Sequence, residues 1–106
     1  MSVYPFEALT RRRVDGGRPY LEFLRVDSMS AGIYALPSGG VDGQRPHDED
    51  EVYVVVRGTA RVTIDGQTSD VGPGTTIYVP AGVPHKFHDI AEDLHVLVVF
   101  APPETE

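Results

Sequence analysis

The sequence predicts an all-β sandwich or barrel, and three observations carry that expectation. Eleven Gly and nine Pro fall between short apolar runs instead of inside them, the punctuation of many short strands joined by turns. The runs are rich in Val, Ile, Tyr and Phe, which fit a pleated surface. Nothing reads as a long amphipathic helix, and residues 5–13 are expected to form one short turn at most.

Taken in order, the expected strands are "YLEFLRV" (20–26), "AGIYALP" (31–37), "EVYVVVRG" (51–58), "ARVTID" (60–65), "TIYVP" (76–80), "HKFHDI" (85–90) and "LHVLVVFA" (94–101). Arg57-Gly58-Thr59 is short enough to make a hairpin of the third and fourth, and Asp65-Gly66 is a favoured two-residue turn ahead of "QTSDV". "VGPG" (71–74) breaks the chain before the fifth, and "VPAGVP" (79–84) enters the sixth with two prolines that stiffen the backbone. Alternation in the third strand puts Glu51, Tyr53, Val55 and Arg57 on one face and Val52, Val54 and Val56 on the other. If the Val face is covered from outside, Glu51 and Tyr53 point inward, and an inward carboxylate needs a partner.

At 106 residues the chain supports a single core, read as an N-terminal arm over 1–19 and one barrel domain over 20–106. Sixteen acidic residues against nine basic ones give a net charge of −7, which disfavours a nucleic-acid partner. The one basic cluster, "TRRR" (10–13), reads as a solvated or salt-bridging segment. With no cysteine, disulfides, zinc–thiolate sites and thiol nucleophiles are excluded. Neither a secretory leader nor a run of membrane-spanning length is visible, so a cytoplasmic protein with no membrane partner is expected.

Of the four histidines, His47 precedes Glu51 by four residues across an acidic connector, and His85 opens a strand after the proline-rich turn. Two neutral imidazoles and a carboxylate are ligand chemistry for Zn, Fe, Mn, Ni or Cu. His88 is expected at a surface or interface and His95 as a structural histidine. Asp48, Glu49 and Asp50 read as solvated, with Glu49 also placed to bond an imidazole. Tyr34 and Tyr53, expected on neighbouring strands, are candidates to line a pocket mouth.

Residues 74–89, "GTTIYVPAGVPHKFHD", resemble the second cupin motif, GxxxxxPxGxxHxxxN, with Gly74, Pro80, Gly82 and His85 in place and Asp89 where the family has Asn. Residues 47–58 resemble the end of the first cupin motif, with His47, Glu51 and Gly58 matching and Arg45 standing where the family's first histidine falls. The 15 residues between Gly58 and Gly74 are similar to the short inter-motif spacing of compact single-domain cupins.

The resemblance implies a double-stranded β-helix, a jelly-roll barrel, and a homodimer joined through apolar outer strands such as 94–101. It also implies a divalent transition metal (Fe, Mn, Zn or Ni) on His47, Glu51 and His85, with Gln44 as a further oxygen donor if the chain bulges there. Dioxygenase-like or isomerase-like chemistry on a small organic molecule would follow. A second expectation is a metal-free barrel that binds or senses a small molecule, with Arg45 in the pocket holding a ligand carboxylate. A purely structural dimerisation module is the third.

Overall fold

The computed structural model describes residues 2–105. Helix α1 (Phe6–Gly16) is followed by eight strands: β1 (Tyr20–Val26), β2 (Met29–Leu36), β3 (Asp50–Arg57), β4 (Ala60–Ile64), β5 (Gln67–Val71), β6 (Thr76–Val79), β7 (His85–His88) and β8 (Leu94–Ala101). They form two antiparallel sheets, one in the order β1-β2-β8-β3-β6 and the other β5-β4-β7. This is the jelly-roll architecture expected from the motifs.

The core lies between the sheets because each long strand alternates. In β8 Leu94, Val96, Val98 and Phe100 are buried while the residues between them are only half-buried, and in β3 Glu51, Tyr53 and Val55 are buried together. Fully burying each large apolar side chain is worth about 1.5–3 kcal/mol. A one-residue slip of β3 would expel Tyr53 and Val55 and bring Val52 and Val54 inward, so the apolar core also fixes Glu51 inside.

Three expectations are corrected. Residues 6–16 form three helical turns, not one. Glu7 in the first turn and Arg13 in the last complement the helix dipole, and Gly17, left-handed at φ 72°, closes the end by donating to the carbonyls of Arg13 and Val14. The inward stripe is Phe6, Leu9, Thr10 and Arg13, of which two are polar, so its apolar period is too thin to read.

Arg57-Gly58-Thr59 is not a hairpin: β3 and β4 lie in different sheets, and Gly58 turns the chain between them. At φ 90°, and with a built Cβ colliding with the backbone of Asp93, this corner requires glycine. Finally, "QTSDV" is itself a strand, paired with β4 across the Asp65-Gly66 turn. Four of its five residues are exposed, so it carries no apolar signal.

Helix α1 packs on the outer face of the five-stranded sheet, where Arg57 pairs with Glu7 and stacks 5.1 Å from the Phe6 ring centroid. No helix among the described residues is long and apolar enough to cross a membrane.

Candidate metal site

One turn places the proposed ligands. Gly82, left-handed at φ 77°, lets "VPAGVP" fold back so that its N–H donates to the His47 carbonyl at 2.6 Å. Two residues on, Pro84 accepts from Asp65 N–H, and β7 starts with His85 facing inward. Thus the second motif positions its own histidine and also the one that precedes β3. Glu51 comes from β3, opposite Phe100 on one side and Val79 on the other.

The three side chains converge. His85 Nε2 lies 3.2 Å from Glu51 Oε1, His47 Nε2 lies 4.0 Å from the same oxygen, and one ligand atom from each residue falls within 4.8 Å of the others. Glu51's side chain is fully buried, and neither of its oxygens nor His85 Nε2 has a hydrogen-bond partner. At this distance His85 and Glu51 form an ion pair only when the imidazole is protonated.

Each imidazole is held from behind. His85 Nδ1 donates to the Val83 carbonyl at 3.0 Å, which leaves the Nε2 lone pair free for a cation on the Glu51 side. Across the site His47 Nδ1 faces Glu104 Oε2 at 3.3 Å, and its ring meets Phe100 edge-on at 4.9 Å. Burial acts to lower the His85 pKa, but the Glu51 carboxylate, the Val83 carbonyl and Asp42 outweigh it, so the net shift is upward.

Gln44 joins the cluster without a strand bulge, from the irregular segment ahead of β3. Its Oε1 lies 3.2 Å from His47 Nε2 and accepts from the Tyr53 hydroxyl at 3.0 Å. Its orientation is set by Asp42, which is 2% exposed and accepts from Gln44 N–H, Gln44 Nε2, the Tyr34 hydroxyl and Phe87 N–H. With the amide nitrogen engaged by Asp42, the amide oxygen turns to the imidazole. Burial, then the Glu51 charge, pushes the Tyr53 pKa up; burial and Asp42 do the same for Tyr34.

A cavity of about 140 Å³ adjoins the cluster, walled by Tyr20, Tyr34, Gln44, His47, Phe100 and Glu104. Tyr34 lines it, whereas Tyr53, on the far side of β8, is not part of its wall. Nor does Arg45 line it: it is exposed and forms no part of the cavity wall, because the inward place is taken by its neighbour Gln44.

Glu49 is not solvated but 3% exposed, and it accepts from Thr105 N–H and Oγ1 instead of from an imidazole. Asp48 and Asp50 are exposed, the latter accepting from Ala81 N–H. His88 is half-buried and bonds Thr63 and Asp89, away from the cluster. His95 lies under α1, edge-on to Phe6.

Sequence reasoning missed Tyr20, Asp42, Phe100 and Glu104. Asp42 sits in "VDGQ", which reads as an ordinary turn, and the other three reach the site from the two ends of the chain. Only strand pairing reveals them: β1 and β8 both flank β2.

The donor set fits a divalent first-row ion. Two imidazoles, which are borderline donors, with a carboxylate and an amide oxygen, which are harder ones, suit Zn, Fe, Mn or Ni. A bound ion would also satisfy the three buried atoms that lack partners.

The chain is 50% identical over 105 residues to an uncharacterized protein of Streptomyces coelicolor, covering 99% of this chain and all of that one. It is 38% identical over 73 residues to the mannose-1-phosphate guanylyltransferase ManC of Salmonella typhimurium, covering 62% of this chain and 15% of that enzyme. The crystal structure of TT1209 from Thermus thermophilus superposes with a TM-score of 0.78 at 25% identity, covering 97% and 99% of the two chains. A cupin domain profile matches residues 32–100, the span from β2 through β8 that carries both motifs, and the chain belongs to the cupin family.

Proposed function

We propose that this cupin holds a divalent transition metal (Fe, Mn, Zn or Ni) on His47, Glu51 and His85, with Gln44 Oε1 beside it, and is an enzyme acting on a small organic molecule. The observation that carries the reading is a fully buried carboxylate whose two oxygens, with His85 Nε2, lack hydrogen-bond partners. Leaving such a charge unsatisfied costs several kcal/mol. A cation at the point of convergence removes that cost.

When bound, the ion supplies a Lewis acid or redox centre of the kind dioxygenases and isomerases use. The chain's own residues do the rest. Val83 and Glu104 hold the two imidazoles, Asp42 and Tyr53 hold the Gln44 amide, and Phe100 and Tyr34 wall the cavity against bulk water. The exposure of Arg45, away from the cavity wall, favours this reading over a metal-free barrel that holds a ligand carboxylate. ManC matches over only 15% of its length, so its activity is not carried over.

Elemental analysis of freshly purified protein tests the reading. About one transition-metal equivalent per chain is expected, lost in His85→Ala; metal-free protein that does not gain thermal stability from any of the four ions would refute it. We also propose that a second copy packs on the outer face of β3 and β8 beyond the reach of α1, where Val52, Val54 and Val99 are only half-buried. Light scattering should then give twice the chain mass. A cytoplasmic location belongs to the same proposal.

A further inference from the structure

Asp42 is 2% exposed, and its two oxygens accept four hydrogen bonds: Oδ1 from the Tyr34 hydroxyl at 2.8 Å and the Gln44 N–H at 3.1 Å, Oδ2 from Gln44 Nε2 at 3.1 Å and the Phe87 N–H at 2.9 Å. That fills an ionised carboxylate, whereas the single oxygen of an asparagine has two lone pairs to offer. Turning the Gln44 amide over would press its oxygen against the Asp42 carboxylate. The oxygen is thereby locked on the far side, toward Tyr53 and His47.

His47 then stands between two acceptors. Its Nδ1 faces the Glu104 carboxylate at 3.3 Å and its Nε2 the Gln44 amide oxygen at 3.2 Å. A neutral imidazole has one N–H, and the carboxylate is the stronger acceptor for it. The Nε2 lone pair and the amide oxygen are left facing each other, an arrangement that only a second proton or a metal ion between them relieves. Gln44 and His47 both line the cavity of about 140 Å³, so an ion can reach them with waters attached.

The identity of this donor has a consequence for the ion. An imidazole suits zinc and nickel, whereas a carbonyl oxygen is the donor that suits manganese and the harder ions. Resting on the metal reading above and going one step further, we infer that Gln44 Oε1 is a fourth protein ligand, that Asp42 is the positioning residue that fixes it, and that together they shift the site's preference toward manganese relative to a site with a third imidazole. Zinc remains the tighter binder in absolute terms, by the ordinary order of divalent ions. What the pair changes is the ratio.

The test measures zinc and manganese affinities by chelator competition for wild type, Gln44→His and Asp42→Asn, and follows side-chain amide signals by heteronuclear NMR as zinc is added. The chain has no Asn and only two Gln, and Gln67 is exposed on β5, so the wild-type spectrum holds one pair of signals for each glutamine. Zinc should move the Gln44 pair and leave the Gln67 pair in place. Gln44→His should raise the zinc-to-manganese affinity ratio about tenfold or more. Asp42→Asn should weaken both ions by about 10–100-fold and raise the same ratio, which a loss of packing alone would not do. An unchanged ratio in Gln44→His, a Gln44 pair that zinc moves no more than that of Gln67, or equal weakening of both ions in Asp42→Asn overturns the inference while the metal reading stands. If neither ion binds wild type, both fall. Should Asp42→Asn not fold, hydrogen exchange of the Gln44 amide protons in metal-free wild type decides its part: protection beyond that of Gln67 is expected, and equal exchange counts against it.

Discussion

His85 and His95 both sit at the start of inward-packing strands beside charged groups, yet the fold pushes them in opposite directions. At His85 burial opposes charging, but Glu51, the Val83 carbonyl and Asp42 overcome it and raise the pKa. At His95 burial is joined by Arg13 and Arg57, and the pKa falls. On the β3–β8 ladder Glu51 pairs with Phe100 toward one end, and Arg57 pairs with His95 toward the other. The same two strands thus present an acid beside one histidine and a cation beside the other. Only the first arrangement can attract a metal ion; the second keeps a neutral imidazole against Phe6.

The largest effect expected is on metal affinity. Glu51→Ala or His47→Ala should weaken zinc binding by more than about 100-fold, beyond the range for residues that merely support a ligand, while His95→Ala leaves it unchanged in a chelator competition assay. Next comes Glu104, which faces His47 Nδ1 from the segment after β8. Glu104→Gln should cost about 10–100-fold in zinc affinity, the usual effect of disturbing a ligand's outer partner. Thr105→Val, which loosens the same segment from Glu49, should act in the same direction and more weakly.

Stability against pH separates the two histidines by sign. His85, raised in the folded state, gives metal-free protein a contribution fully present below its unfolded pKa of about 6.5 and lost as pH rises through the folded value. His95 is lowered, so its contribution is present above about 6.5 and lost as pH falls toward the folded value. Each slope is at most about 1.4 kcal/mol per pH unit. Urea midpoints from pH 5 to 9 should therefore lose the alkaline decline in His85→Phe and the acid decline in His95→Phe. The smallest effect belongs to the exposed pair of Arg57 and Glu7: Glu7→Gln should change stability by less than about 1 kcal/mol.

The two histidines also show what a sequence can display. All seven expected strands exist, because Gly and Pro bound runs whose alternation matches the pleat. His47, Glu51 and His85 were legible because the motif's Gly82 and Pro80 build the turn that joins them. The hairpin at Gly58 was misread, since a glycine that changes sheets looks locally like one that reverses a strand. Strand β5 and helix α1 escaped notice because their exposed or mixed faces carry little apolar period. Tyr20, Asp42 and Glu104 were hidden for another reason: their roles depend on contacts between residues far apart in the chain, with Tyr20 and Glu104 both at the cavity of His47.

If buried Glu51 and His85 are built for a cation, calorimetric titration of zinc into metal-free protein, repeated in buffers of different ionisation enthalpy, will show it. One ion per chain is expected, with proton release that grows as pH falls toward the raised His85 pKa and no binding in His85→Ala. Zinc binding that releases no proton at any pH and survives in His85→Ala, or no binding at all, would contradict it.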